Sequence, residues 1–401
     1  MKVTITPQKL HGSIPAIPSK SAAHRLLICA ALADKKTTIR CDQSSQDIDA
    51  TANCLRAMGA EIIRDGDNFI VTPIEPPSHA ELDTGESGST LRFLLPVLCA
   101  LGQNANVTMH GRLPDRPLEP LWSELTAHGA KLNKPCREVL SISGSLTGSE
   151  FTLAANVSSQ YISGLLFALP ILGGGTIHLT GKTESVGYIQ MTVQALNAFG
   201  IEVIWKDDTI TVLPGSYRSP GTVQVEGDWS NAAFWLTANA LCGNVTCTGL
   251  DENSCQGDKS IVSALQAIKR GNATIDASQI PDLVPILAVH AALMPGTTHI
   301  TGAARLRLKE SDRLVTVREM LTELGGEVTE EADGLIINGK TALSGGTTHS
   351  RGDHRIAMAA AIASIGCTGE VVIENAEAVN KSYPRFFADF QSLGGQIKEE
   401  P

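Results

Sequence analysis

Aromatic residues make up only 4% of this 401-residue chain, so it offers few flat faces on which nucleic-acid bases could stack. Positive charge is also in deficit. The formal net charge is -10 at pH 7, which disfavours non-specific binding to nucleic acid and means that any anionic ligand must be held by local basic clusters. The nine cysteines, at positions 29, 41, 54, 99, 136, 242, 247, 255 and 367, are scattered, with no CxxC pair and no Cys/His ligand spacing. They read as reduced, mostly buried thiols of a cytoplasmic protein. The opening MKVTITPQKL alternates like a strand and has no apolar signal core, and the longest apolar run, near FLLPVLCAL, is too short to span a bilayer. Neither a nucleic acid nor a membrane is an expected partner. No Walker or Rossmann glycine pattern is present: GESGSTLR has neither spacing, and the GGG at Gly173 precedes a strand rather than a helix.

What is present is an internal repeat. A helix end running through glycine into a strand occurs six times: LRAMGAEI, LTAHGAKL, LNAFGIEV, LQAIKRGNATI, LTELGGEV and FQSLGGQI. A second element, a small-residue turn before a β-branched strand, interleaves with it: KKTTIRC, NANVTMHG, GGTIHLTG, GNVTCTG, GTTHITG and TGEVVIE. The spacing is about 70 residues, with one unit shortened to about 55. Glycine after a helix suits a left-handed C-terminal cap, and Val, Ile and Thr suit strands. The pattern predicts an α/β fold of six units, three in each half. The turn-rich run LPGSYRSPGTVQVEGD predicts a domain junction near Gly227, and the Pro-rich TPIEPPSHAELD is expected to be a surface loop.

The chemistry lies where the other helix of each unit begins. PSKSAAHRLLICAAL, GESGSTLRFLLPVLCAL, VSSQYISGLLFALPIL, IPDLVPILAVHAAL, KESDRLVTVREML and GDHRIAMAAAIASI each place polar or charged groups before an Ala/Leu-rich helix. A helix N-terminus carries free N–H donors and partial positive charge, so acids are expected there. Here bases gather instead: Lys20, Arg25, Arg92, Lys309, Arg313, His354 and Arg355. Such an arrangement is unfavourable unless an anion sits among them, held by backbone donors and charged forks together. Each cluster also has a structural explanation. Lys20-Ser21 and Ser158-Ser159-Gln160 could be ordinary caps, Asp282 a first-turn acid, Asp353-His354-Arg355 a surface ion-pair network, and Glu310 and Asp312 partners for Lys309 and Arg313. The recurrence of all six in one place of a repeated unit favours a multi-anion pocket over six separate accidents.

HGSIPAIPSKSAAHRLL, GESGSTLRFL, GRLPDRPLEPL, SSQYISGLL, IPDLVPIL, LKESDRL, GDHRIAMA and NKSYPRFF occur in this order. With them the chain resembles, over essentially its whole length, the EPSP synthase (3-phosphoshikimate 1-carboxyvinyltransferase) family of enolpyruvyl transferases. The resemblance implies two domains, each of three βαβαββ units about a pseudo-threefold axis: residues 19–226, and residues 1–18 with 227–401. The active site is implied in the interdomain cleft. The implied reaction joins shikimate 3-phosphate to phosphoenolpyruvate and releases phosphate. Both substrates carry a phosphate and a carboxylate.

By motif, Lys20, Ser21 and Arg25 would hold shikimate 3-phosphate, with Ser158, Ser159 and Ser185 on its phosphate and Lys309 and Asp282 on its hydroxyls. Tyr188 would lie nearby. Gly88, Arg116, Arg313, Arg355 and Lys381 would hold phosphoenolpyruvate, with Lys20 touching both substrates and Gln160 between them. Addition followed by elimination needs two acid/base groups. The implied catalytic set is Lys20, Asp282, which takes the hydroxyl proton, and Glu310, which delivers and recovers the methyl proton. Burial would raise the proton affinity of Glu310 and Lys309 and Arg313 would lower it, so closure on substrate sets the balance. No metal or organic cofactor is implied, and the chain is expected to act as a monomer in the cytoplasm.

Two positions depart from the family pattern: Glu86 stands where Asn is common, and Arg305 where Asn is often found. Gly88 leaves room beside phosphoenolpyruvate, so the resemblance implies inhibition by glyphosate. The rival activity on UDP-N-acetylglucosamine normally carries a loop cysteine, and GRLPDRPLEP has none. A non-catalytic anion-binding protein is the other alternative, against which both Asp282 and Glu310 count.

Overall fold

The computed structural model describes residues 1–400. Two strands, β1 (Lys2–Thr6) and β2 (Gly12–Pro15), lead in. The first repeat unit is then α1 (Lys20–Ala31), β3 (Thr37–Arg40), α2 (Gln46–Ala57), β4 (Glu61–Asp65) and β5 (Asn68–Thr72). The second is β6 (His79–Asp83), α3 (Gly88–Leu101), β7 (Asn104–Thr108), α4 (Leu121–Ala127), β8 (Ala130–Cys136) and β9 (Val139–Gly144). The third is β10 (Glu150–Ala154), α5 (Ser159–Ala168), β11 (Gly175–Thr180), α6 (Val186–Ala198), β12 (Val203–Lys206) and β13 (Thr209–Val212), followed by β14 (Thr222–Gln224). The fourth holds α7 (Trp229–Cys242), β15 (Val245–Thr248) and α8 (Ile261–Lys269). The fifth is β16 (Thr274–Asp276), α9 (Val284–Ala292), β17 (Thr297–Thr301), α10 (Arg313–Glu323), β18 (Glu327–Glu331) and β19 (Gly334–Asn338). The sixth is β20 (Gly346–His349), α11 (His354–Ala363), β21 (Val371–Glu374), α12 (Phe386–Ser392) and β22 (Gln396–Glu400).

The chain divides into two compact units, Met1–Ile17 with Gly227–Pro401, and Pro18–Glu226. Within them the repeats build small sheets, and in the second, third and fifth two parallel strands joined across a helix are followed by an antiparallel hairpin. Distant segments complete three of them. The strand β14 pairs with β3, β2 pairs with β15, and β1 sits between β21 and β22. The fourth unit is the shortened one because it has no hairpin: α8 runs through Gly271 straight into β16 of the next sheet.

All six glycines of the helix-end repeat, Gly59, Gly129, Gly200, Gly271, Gly325 and Gly394, have positive φ between 79° and 108°, as a helix-terminating turn requires. The β-branched repeats are β3, β7, β11, β15, β17 and β21. The Pro-rich stretch near residue 75 is only partly a loop, since its last five residues, His79–Asp83, form β6. Alternation of Ala80 and Leu82 with exposed neighbours is a strand signal that the preceding prolines hide.

The first helix of a unit is buried almost all round. All nine residues of α9 and all ten of α11 are buried, which explains their Ala-rich, weakly amphipathic sequences. Gly164 in α5 permits close packing on α3, because a Cβ there would strike the carbonyl of Arg92. Their packed bodies make their N-termini fixed platforms for side chains. Among the described residues no helix is long and apolar enough to cross a membrane, and no cysteine is in a disulfide; Cys29, Cys41, Cys54, Cys99 and Cys367 are buried.

Candidate active site

In the unit holding residues 227–400, the sequence-predicted residues gather around one guanidinium. Arg313, the first residue of α10, is 1% exposed. Its Nε donates to Asp353 Oδ2 at 2.8 Å, its Nη1 to Asp282 Oδ1 at 2.7 Å and its Nη2 to Glu310 Oε2 at 2.8 Å. Asp353 is the N-cap of α11, Asp282 lies on the short turn before α9, and Glu310 precedes α10, so three helix starts meet here. Arg355 Nη2 reaches the other oxygen of Asp282 at 3.2 Å, and Lys309 Nζ lies 3.6 Å from Asp282 Oδ1. Burial opposes the charge of Arg313, but Asp353, Glu310 and Asp282 outweigh it and raise the guanidinium pKa. Three cations thus face three carboxylates. Asp282 and Glu310 each keep 18% side-chain exposure, unlike Asp353 at 0%, so the two proposed acid/base groups are the accessible members. Lys381 Nζ donates to Gly352 O at 2.7 Å, directly before Asp353.

In the Pro18–Glu226 unit the predicted residues form two linked groups. Lys20, at the start of α1, pairs with Asp47 of α2 at 2.7 Å. One turn on, Arg25 is buried over the Phe93 ring, with its Nη1 on Ser21 O at 2.6 Å and its Nη2 on Tyr188 O at 2.8 Å. That contact brings the start of α6, where Ser185 adopts a left-handed φ of 54°, to the start of α1. The second group joins α3 to α5. Arg92 Nη1 donates to Gln160 Oε1 at 2.9 Å, and Gln160 Nε2 donates to Ser89 Oγ at 2.9 Å. Ser158 caps α5 by accepting from Gln160 N, and Ser159 follows it. At Gly88, an added Cβ would lie 2.5 Å from Arg92 Nη1 and 2.8 Å from Arg116 Nη1. Two guanidiniums therefore crowd the one residue that opens α3.

The arrangement can hold several anions: backbone donors at α1, α3 and α5, and cations from Lys20, Arg25, Arg92 and Arg116. With that geometry established, likeness to known proteins is informative. The profile of the family described as EPSP synthase (3-phosphoshikimate 1-carboxyvinyltransferase) matches residues 5–390. The chain belongs to the EPSP synthase family. A 3-phosphoshikimate 1-carboxyvinyltransferase of Clostridium acetobutylicum is 43% identical over 422 aligned positions, covering 99% of this chain and 98% of that protein. One from Clostridium perfringens strain 13 is 41% identical with full coverage of both. The solved EPSP synthase of Acinetobacter baumannii superposes with a TM-score of 0.81 at 25% identity, covering 99% of this chain and 100% of that one.

Membership in the EPSP synthase family fits the βαβαββ architecture, while the placement of one motif differs from the sequence expectation. LKESDRL does not open the same helix as the other five starts. It opens α10, the second helix of the fifth unit, whose C-terminal end is the LTELGG repeat already counted. The equivalent first helix in the fourth unit is α7, capped by Asp228, which the charge pattern does not single out. Asp312 is the N-cap of α10 and pairs with Arg307. Glu86 lies against Gly111, where φ is 56°, and Arg305 donates to Ser278 O at 2.9 Å. The partners that sequence reasoning misses are Asp47, Ser89 and Ser311, which donates to Asp353 Oδ2 at 3.0 Å. Asp47, an acid in the first turn of a Ser-capped helix, carries only the ordinary signature of such a position.

Proposed function

We propose that the chain transfers the enolpyruvyl group of phosphoenolpyruvate to the 5-hydroxyl of shikimate 3-phosphate, releasing inorganic phosphate, as a step of aromatic amino acid biosynthesis. The carrying observation is the family match along nearly the whole chain. The residue types at the helix starts support it, because the two substrates bring four anionic groups and the chain supplies a matched set of buried and partly buried cations.

In this reading Lys20, Ser21 and Arg25 hold shikimate 3-phosphate, with Ser158, Ser159 and Ser185 on its phosphate, Lys309 and Asp282 on its hydroxyls, and Tyr188 nearby. Gly88, Arg116, Arg313, Arg355 and Lys381 hold phosphoenolpyruvate, with Lys20 and Gln160 touching both. Residues 19–226, and residues 1–18 with 227–401, act as two three-unit domains that each supply groups to the substrates, and the enzyme works as a monomer in the cytoplasm.

The ion-pair geometry adds a step to the mechanism. Asp282 is held by Arg313, Arg355 and Lys309, and a carboxylate so surrounded is a poor base. An incoming phosphate or carboxylate competes for the same forks. As Arg313 and Arg355 turn to phosphoenolpyruvate, Asp282 is freed to accept the proton of the 5-hydroxyl while that oxygen attacks C2. Glu310, released from Arg313 Nη2, takes up a proton from solvent and delivers it to the methylene carbon, which becomes a methyl group. It then takes a proton back as the C–O bond to phosphate breaks, and the cations stabilise the departing anion.

Acceptor choice tests the function. Phosphate release from phosphoenolpyruvate that requires shikimate 3-phosphate supports it. Release with UDP-N-acetylglucosamine, or with neither acceptor, overturns it.

A further inference from the structure

Beneath Lys20 and Gly88 runs a chain of buried hydroxyls and one imidazole that the mechanism above does not use. His24 lies one turn after Lys20 in α1 and is 1% exposed. Its Nδ1 is 2.6 Å from Thr51 Oγ1 in α2, and Thr51 Oγ1 is 2.6 Å from Thr90 Oγ1 in α3. The Thr90 hydroxyl donates to Ser87 Oγ at 2.8 Å, and Ser87 is the N-cap of α3, immediately before Gly88. Thr51 and Thr90 are both fully buried. His24 Nε2 is buried with no partner.

Proton counting fixes the direction of this chain. Each of the three contacts needs one hydrogen, and each threonine supplies one. With Thr90 donating to Ser87, Thr51 must donate to Thr90, which leaves only the ring to fill the first contact. His24 is then neutral with its proton on Nδ1 and a bare Nε2. Burial, and next to it the charges of Lys20 and Arg25, lower the pKa of the ring well below its ordinary value, which keeps it in this uncharged form. The same α2 also carries Asp47, the partner of Lys20. One helix therefore references both ends of the arrangement.

We propose that His24, Thr51, Thr90 and Ser87 form a positioning network that fixes the first turns of α1 and α3 relative to each other. Lys20 and the Gly88 backbone are thereby presented to phosphoenolpyruvate at a set separation. This rests on the assignment of Lys20 and Gly88 to the phosphoenolpyruvate site. None of the four side chains is assigned a contact with substrate. They act through the backbone that carries the residues that are. A purely apolar filling of the same space would pack equally well but would leave the starts of α1 and α3 free to slide by the slack of a side-chain contact.

The test uses the full-length enzyme. Thr51→Val removes the hydroxyl and keeps the shape, while Thr51→Ser restores it. Nitrogen-15 chemical shifts of His24, read without substrate, are expected to show an Nδ1–H ring in the wild type and in Thr51→Ser, and a shift towards Nε2–H in Thr51→Val. The KM for phosphoenolpyruvate should rise about tenfold in Thr51→Val with kcat little changed, and return in Thr51→Ser. Thr90→Val should give the same KM change, and the double variant no more than either alone, since the residues act as one chain. An Nε2–H ring in the wild type overturns the proposal, as does an unchanged KM in either folded valine variant. An inactive wild type would count against the functional reading alone, and the ring tautomer would still decide the network.

Discussion

The Nε of Arg313 donates to Asp353 Oδ2 at 2.8 Å, with the two side chains 1% and 0% exposed. Both ends of this contact are structural and chemical at once, because Asp353 also caps α11 through Arg355 N at 3.0 Å. Removing one partner of a buried pair leaves the other charge uncompensated. Asp353→Ala should lower the unfolding free energy by about 3–5 kcal/mol, measured by urea denaturation. Asp353→Asn should lose less, because it keeps the cap. A loss under about 1 kcal/mol for the alanine variant would show that the pair does not hold the three helix starts together.

At the start of α3, space is the controlling quantity. Gly88→Ala puts a methyl group where Arg92 and Arg116 now lie, so both guanidiniums must move. The expected result is a raised KM for phosphoenolpyruvate with the fold retained. Wild-type activity should be inhibited by glyphosate, and the alanine variant should need more inhibitor. Wild-type turnover that is unaffected at millimolar glyphosate would refute the placement of Gly88 in this site.

How much of the molecule is legible in its sequence varies with the range of the interaction. The glycines from Gly59 to Gly394 and the β-branched strands are local signals, and they mark all six units. The missing hairpin of the fourth unit shows only as a shortened spacing. Pairings such as Arg313 with Asp353, or Thr51 with Thr90, join residues about 40 apart in the chain and leave no periodic trace. The position of LKESDRL is ambiguous for a related reason: a charged helix start looks alike on the first and second helix of a unit, and only the sheet order separates them.

Acid should weaken the fold through its buried histidines. Burial, the main cause, pushes the His290 ring down to about 4, whereas an unfolded histidine titrates near about 6.5. Between these values the unfolded chain binds a proton that the folded chain does not, so stability is full above about pH 6.5 and is lost as pH falls towards 4. The size is about 3 kcal/mol for this one residue. His24 acts in the same sense, and Asp389, whose pKa burial raises, acts in the opposite one. Denaturation midpoints of wild type and His290→Leu between pH 4 and 7 check this. The variant should show the flatter profile, and parallel profiles would contradict it.

Asp282→Asn and Glu310→Gln should each lower kcat by at least about a hundredfold, because a proton-transfer group contributes that much or more. Equilibrium binding of shikimate 3-phosphate should persist in both. If binding vanishes while the residual kcat is near wild type, the residues are ligands and not acid/base groups.

The exchange of solvent hydrogen into product tests the chemistry most directly. Turnover in heavy water passes through a methyl group only if the methylene carbon is protonated before phosphate leaves. Proton and deuterium NMR of the enolpyruvyl product should therefore show deuterium in its vinyl methylene group, and Glu310→Gln should slow both product formation and this incorporation. Product formed at the full wild-type rate with no deuterium on that carbon would contradict addition followed by elimination at this site.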